Sequence, residues 1–87
     1  MYSQEVVLTN KSGFHARPAS LFVKEASKYI SNIKVMKGQK EYNGKSIMGM
    51  LTMGAAMGDK IFIQAAGEDE KEAVDNLVDL IKNKFNE

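Results

Sequence analysis

Residues 13–20, GFHARPAS, contain the only histidine and the only proline of the chain, with an arginine between them. A neutral imidazole is a nucleophile and can carry a covalent intermediate. The guanidinium of Arg17 presents a planar fork of donors that suits phosphate oxygens. If His15 takes up a phosphoryl group, Arg17 is placed to stabilise the new negative charge. The pair therefore predicts a phosphohistidine site.

The proline indicates where these two side chains stand in the fold. Pro18 fits only in the first turn of a helix, where its missing N–H costs nothing. His15 then lies near the N-cap, where unpaired N–H groups and the positive end of the helix dipole favour an anion. The alternative is that His15 merely starts a helix and that Arg17 is a solvated surface charge. Position chemistry alone leaves these two interpretations about equal.

Other reactive sites find little support in the composition. The chain has no cysteine and one histidine, which excludes disulfides, thiolate metal sites and multi-histidine metal sites. No pattern nominates a serine or carboxylate partner for a hydrolytic triad. We expect no metal and no cofactor.

Hydrophobic periodicity predicts seven elements in the order β-α-β-β-α-β-α. Alternating, half-buried strands favour an antiparallel sheet with helices on one face, in the α+β class. The predicted elements are a strand within 2–8, a helix over 16–29, a strand around 33–36, a strand over 40–42, a helix over 47–53 capped by Ser46 and stopped by Gly54, a strand over 61–65 and a helix over 69–85.

The bulk composition places limits on the protein class. The 87 residues fit one domain, 1–87, and the net charge of +1 gives no strong general attraction for nucleic acid or anionic membranes. No apolar run approaches the roughly 20 residues of a membrane span, and the first ten residues lack the pattern of a signal peptide. We therefore expect a cytoplasmic protein without membrane insertion.

A second candidate surface follows Ser46. Residues 47–57 carry many methionines and other large apolar side chains, and a short helix beside a sheet can bury only one stripe of them. We expect Met50, Leu51 and Met53 to be in the core. Ile47 and Met48 are candidates for an exposed docking surface, with Lys24 and Lys45 as basic groups at its rim or, alternatively, as solvated charges.

With these residues in view, the chain resembles the HPr family of histidine-containing phosphocarriers of the bacterial sugar phosphotransferase system. GFHARPAS resembles the family's active-site signature, and KSIMGM, residues 45–50, resembles its regulatory-serine motif at the expected distance. The resemblance implies an open-faced β-sandwich, a four-stranded antiparallel sheet with three helices on one face. It assigns phosphorylation to His15, a neighbouring role to Arg17 and an ATP-dependent kinase site to Ser46. Phe14 departs from the usual aliphatic residue; a larger ring beside His15 could alter imidazole exposure or partner preference, but it removes no reactive group and so leaves the role of His15 intact.

The same resemblance implies a carrier rather than an enzyme. Such a protein accepts a phosphoryl group on His15 from enzyme I and passes it to enzyme IIA domains. It is expected to be a monomer, with a serine kinase/phosphorylase and a catabolite-control transcription regulator as further partners acting through Ser46. Ile47, Met48 and the first helix would meet enzyme I and the IIA domains.

Two other function classes remain as alternatives. One is a purely regulatory binding module controlled through Ser46, although the related regulatory class lacks the active histidine that this chain has. The other is a small RNA-binding domain, which the near-neutral charge and the expected absence of aromatic side chains on a basic strand face disfavour. We expect no direct binding of nucleic acid.

Overall fold

The computed structural model describes residues 1–86. Its elements follow the predicted order, with a short turn of 3₁₀ type after the last helix. They are β1 (Tyr2–Val7), α1 (Ala16–Ala26), β2 (Asn32–Lys37), β3 (Lys40–Asn43), α2 (Ile47–Met53), β4 (Lys60–Ala66), α3 (Glu70–Lys82) and the turn Lys84–Asn86.

The four strands form one antiparallel sheet in the order β1-β4-β2-β3. The last strand in sequence, β4, lies in the interior of the sheet and pairs with both β1 and β2. The three helices complete the predicted open-faced arrangement, and the predicted fold class is confirmed.

Alternation along β4 separates the two faces of the sheet. Ile61, Ile63 and Ala65 are buried in the core. Phe62 lies on the opposite face with 43% of its surface exposed, paired across the strands with Glu5 on β1 and Met36 on β2. Phe62 is thus an aromatic side chain on the exposed face of the sheet. The same face carries the exposed Lys34 and Lys60 as well as Glu5, so its charge is mixed rather than uniformly basic, whereas grooves for single-stranded nucleic acid are positively charged.

The first helix ends earlier than its apolar spacing predicts. The amides of Lys28 and Tyr29 bond to carbonyls three residues back, so the chain tightens beyond Ala26 instead of continuing the α-helix. Tyr29 still reaches the core, but Ile30 is 73% exposed. In the sequence, the apolar spacing of the first helix continues to Ile30 and predicts that this residue lies on the buried face; that prediction is wrong because the helical period no longer applies there.

The last helix also ends early, at Lys82 rather than at Phe85. Lys84 and Phe85 adopt left-handed backbone angles, with φ of 53° and 55°. This conformation costs a non-glycine residue about 1–2 kcal/mol. Phe85 is nevertheless fully buried. The turn therefore places its ring in the core, as the prediction of a helix through residue 85 also required. The remaining strand bounds differ from the predictions by one or two residues, the ordinary uncertainty of element ends.

Candidate functional site

His15 stands at the N-cap of α1, as predicted. Its backbone is extended, with φ −85° and ψ −176°, and its carbonyl accepts the first helical hydrogen bond from the Ala19 amide at 2.9 Å. Pro18 is the third helical residue, within the first turn. The His15 residue is exposed, and among residues 1–86 its side chain makes no capping hydrogen bond. The imidazole is therefore free to meet a second molecule.

The first turn of α1 is suited to an anion. The first N–H groups of a helix have no intrahelical acceptor, and those of Ala16 and Arg17 are of this kind. Pro18 contributes no N–H. The turn contains no acidic residue, and Arg17 is exposed beside His15 in the sequence. A phosphoryl group on the imidazole would thus meet a positive helix end and no competing carboxylate nearby in the helix.

The loop before His15 is held in place from two sides. The buried Asn10 donates its side-chain amide to the Gly13 carbonyl at 2.8 Å. The Phe14 amide donates to the Ala55 carbonyl, just beyond α2, at 3.0 Å. Gly13 has φ of +59°, and an added Cβ would collide with Ala55 and Ala56. This close approach requires glycine and joins the His15 loop to the segment after α2.

That segment has a stabilised turn of its own. The Asp59 carboxylate accepts the Ala56 amide at 2.8 Å and pairs with Lys37 at 3.3 Å. The Ala56 amide first, and then Lys37, hold the pKa of Asp59 below its usual range. The turn on which Phe14 rests is thereby linked to strand β2.

Phe14 is not a surface neighbour of the imidazole. Its ring is buried and meets those of Phe22 and Phe85 edge-on, with both centroid distances at 5.4 Å. We call these three rings the aromatic cluster. The Phe14 ring therefore does not lie on the surface next to the imidazole, since His15 is exposed while the preceding side chain enters the core. Sequence gave no signal for the contact between Phe14 and Phe85.

Ser46 caps α2, as predicted. Its hydroxyl accepts the Gly49 amide at 3.0 Å, which satisfies one of the unpaired N–H groups of the helix. Gly54 ends the helix in the left-handed conformation, and its amide bonds to Leu51. Both predicted boundary residues, Ser46 and Gly54, are confirmed. Each could be predicted because its capping bond is to a residue of its own helix.

The predicted docking residues are exposed, Ile47 at 45% and Met48 at 71%. Met50 and Met53 are buried, as expected. The prediction for Leu51 is wrong, since 38% of its surface is exposed. A helix of seven residues buries a narrow stripe, and Leu51 falls beside the two methionines that fill it. Leu51 lies one turn from Ile47 and therefore extends the exposed apolar surface of α2.

The two predicted basic groups differ in their surroundings. Lys45 is half-buried, and its ammonium donates to the Tyr29 carbonyl at 2.6 Å. Lys24 is exposed in the last turn of α1. Lys45 therefore ties the start of α2 to the chain beyond α1, while Lys24 remains a surface charge.

The fold brings the two predicted sites onto packed neighbouring helices rather than into contact. Helices α1 and α2 pack together, and the end of α2 adjoins the loop before His15 through Ala55. Ser46 is at the opposite end of α2, about 10 Å away by the helical rise. The exposed Ile47 and Met48 are at the Ser46 end.

The part of the chain that the structure describes contains no group of three or more potential metal ligands among His, Cys, Asp and Glu. Among the same residues, no helix combines the length and apolar character of a membrane span.

Residues 2–83 match the family model PTS-HPr, described as the PTS HPr component phosphorylation site. The chain belongs to the HPr family. Its relatives include the phosphocarrier protein HPr of Xylella fastidiosa, 40% identical over all of this chain and 98% of that protein. The HPr-like protein Crh of Bacillus subtilis is 38% identical over 97% of this chain and 99% of its own length.

The solved structures of HPr proteins agree with the fold. HPr of Thermoanaerobacter tengcongensis is 48% identical and superposes with a TM-score of 0.97, covering all of this chain and 98% of that one. An HPr dimer from the same organism matches with a TM-score of 0.80 over the whole of both chains. The resemblance found in the two motifs is thus confirmed at the level of family and fold.

Proposed function

We propose that the chain accepts a phosphoryl group on His15 from enzyme I and passes it to enzyme IIA domains. The observation that carries this proposal is the exposed imidazole at the N-cap of an 11-residue helix, without a capping bond within residues 1–86. Membership of the HPr family supports the same role. The protein is a carrier, since it is itself modified and restored in each cycle.

The chemistry needs few groups. A nitrogen of neutral His15 attacks phosphorus, a new P–N bond forms, and the P–N bond to the phosphohistidine of enzyme I breaks, leaving its imidazole. In the second step a nucleophile of the IIA domain attacks phosphorus, a new bond to that acceptor forms, and the P–N bond to His15 breaks, which restores the neutral imidazole. Arg17 and the first N–H groups of α1 stabilise charge on the moving group, which is electrostatic stabilisation by preorganised donors.

The docking surface of the proposal is the exposed side of α2 with part of α1. Ile47 and Met48 provide apolar contact area, and methionine adapts to partners of different shape. Lys24 supplies a charge on α1. Lys45 is a weaker candidate for a rim charge because its ammonium already bonds to the Tyr29 carbonyl.

Phosphorylation of Ser46 is the proposed regulation. A phosphate there adds roughly −1.5 to −2 charges at neutral pH beside Ile47 and Met48. A partner that buries those side chains would have to desolvate the phosphate, which opposes binding. A serine kinase/phosphorylase would set this state, and a transcription regulator with basic residues would gain affinity from it. Ser46 would then act as a switch between partners.

A regulatory binding module is the second candidate, and it is favoured by the relative Crh, whose solution structure is described as that of the Bacillus subtilis catabolite repression HPr. The two functions differ in what happens at His15. A carrier is phosphorylated there, whereas a purely regulatory module acts through Ser46 alone.

Incubation with purified enzyme I and phosphoenolpyruvate tests the proposal. We expect one acid-labile phosphate per chain, which a IIA domain then removes. An acid-stable phosphate formed by a serine kinase with ATP is the matched comparison. Absence of the acid-labile phosphate on folded protein would reject the carrier and leave the regulatory module.

We propose a monomer in the cytoplasm. Since a relative has been solved as a dimer, the assembly state needs its own measurement. Sedimentation at several concentrations should give the mass of one chain. A constant mass of two chains would reject the monomer.

A further inference from the structure

The loop that ends at His15 rests on a residue from the far end of the chain. Phe85 is fully buried, and its ring meets that of Phe14 at 5.4 Å and an interplanar angle of 68°. Phe14 is the residue immediately before His15. The turn that carries Phe85 is therefore in direct contact with the segment that places the imidazole.

Each contact of Phe14 fixes it against a different element. Phe22 lies on α1, two turns beyond His15, and holds the Phe14 ring relative to that helix. The bond from the Phe14 amide to the Ala55 carbonyl holds it relative to the end of α2. Phe85 adds the third support, from the chain after α3.

This third support matters because, among the residues described, the His15 side chain has no hydrogen bond of its own to fix its position. Within residues 1–86 the imidazole makes no capping bond, so the backbone at Phe14 and His15 must set the direction of its side chain. Lys84 and Phe85 also hold left-handed backbone angles that bulky residues rarely adopt. Such angles persist where the surrounding structure over-determines them, and here burial of the Phe85 ring does so.

We propose that Phe85 is a positioning residue for His15, acting through Phe14. The inference rests on the proposed phosphocarrier function for its kinetic consequence. The docking surface consists of exposed side chains of α2 and α1, whereas the three rings of the aromatic cluster are buried. Loss of the Phe85 ring should therefore reduce the rate of transfer within the complex and leave binding to enzyme I unchanged.

The test compares Phe85→Ala with Ile63→Ala, which removes a fully buried side chain from the interior strand β4. Both variants lose packing, but only the first loses a member of the aromatic cluster. For Phe85→Ala we expect kcat of phosphorylation by enzyme I to fall roughly tenfold or more with KM unchanged, since misplacing a reacting group by about 1 Å can cost on the order of 10²-fold. Ile63→Ala should keep the wild-type kcat below its melting temperature.

Phe85→Leu covers the case in which the alanine variant does not fold, because leucine retains most of the apolar volume. It should lower kcat less than Phe85→Ala. Equal kcat in wild type, Phe85→Leu and Ile63→Ala would overturn the proposal, as would a rise in KM alone.

A measurement on unphosphorylated protein separates this inference from the proposed function. The NMR resonances of the His15 ring and of the Ala16 and Arg17 amides should shift in Phe85→Ala or Phe85→Leu and stay in place in Ile63→Ala. If wild type takes no acid-labile phosphate, the carrier function fails while the resonances still test positioning. Unmoved resonances in folded Phe85 variants would overturn positioning even when wild type is phosphorylated.

Discussion

Helices α1 and α2 begin with N-cap residues of opposite character. Ser46 accepts the Gly49 amide at 3.0 Å and so satisfies part of its own helix end. Among the residues described, the His15 side chain makes no such bond. The first turn of α1 also contains Arg17, while that of α2 has neither an acidic residue nor a base. One helix start is thus closed by its own side chain, and the other is left open for an anion.

If His15 and Ser46 are both phosphorylated, as proposed, this difference predicts separate consequences for the two modifications. At α1 the helix end can act on the phosphoryl group itself, because its first N–H groups have no intrahelical acceptor and, within residues 1–86, the N-cap side chain makes no capping bond to them. At α2 the cap is stable before any modification, and a phosphate acts through charge added beside the exposed Ile47 and Met48. We expect changes at α1 to alter rate and changes at α2 to alter binding.

The largest expected effect is at His15. His15→Ala should abolish acid-labile phosphorylation by enzyme I, because no other imidazole exists in the chain. Stability should change little, since the side chain makes no capping bond within residues 1–86. Phosphate assays with a thermal melt measure both quantities. Transfer that survives in folded His15→Ala protein would reject His15 as the acceptor.

Arg17→Ala comes next. Removal of one preorganised donor commonly lowers a rate by on the order of 10²–10³. We expect a fall of this size in kcat, with KM nearly constant because Arg17 belongs to the open helix start. Arg17→Lys keeps the charge but loses the planar fork of donors, and its kcat should lie between those of wild type and Arg17→Ala. Quenched time courses of phosphorylation by enzyme I measure the rates. An unchanged kcat in Arg17→Ala would show that Arg17 is only a solvated charge.

Ser46→Asp should change KM rather than kcat, the opposite of the result expected for Arg17→Ala. The negative charge beside Ile47 and Met48 should raise KM for enzyme I on the order of tenfold, which corresponds to about 1.4 kcal/mol. The chemistry at His15 should keep its kcat. The control, Ser46→Ala, removes the cap without adding charge and should lower stability by ~1 kcal/mol while KM stays near wild type. If the Asp variant matches wild type in KM, Ser46 is a helix cap and the switch is wrong.

Met48→Ala should have the smallest effect. A side chain that is 71% exposed can lose further surface in a complex, and its truncation should raise KM roughly threefold to fivefold. Phe62→Ala is the control, because Phe62 is an exposed apolar side chain, at 43%, on the sheet face opposite the core and therefore lies away from α2. Titration of enzyme I with each variant compares them. Equal KM values for the two variants would place the docking surface elsewhere.

Local rules explain which predictions succeeded. Pro18, Ser46 and Gly54 mark helix ends through their own backbone chemistry, so these positions could be found without a partner residue. The element order followed from the same rules and from hydrophobic period. By contrast, Leu51 and Ile30 were placed wrongly, because their burial depends on how many turns a helix completes and on what packs against it.

The supports of the candidate site depended most on long-range structure. Phe14 and Phe85 are 71 positions apart, and no spacing rule predicts that their rings meet. The bond between the Phe14 amide and the Ala55 carbonyl joins two loops of separate elements. Sequence could identify His15 and Arg17 by residue type, whereas the groups that place them became visible only in the folded chain.

The interior position of β4 has a consequence for biosynthesis. Strand β1 forms its sheet hydrogen bonds with β4. During synthesis, the first strand therefore has no pairing partner until residues 60–66 have left the ribosome. In the meantime only the β2–β3 hairpin can pair locally. Non-local pairing of this kind slows folding because a long loop must close first. A nascent chain stalled before β4 should therefore remain sensitive to protease, and protection should appear only once that strand has emerged.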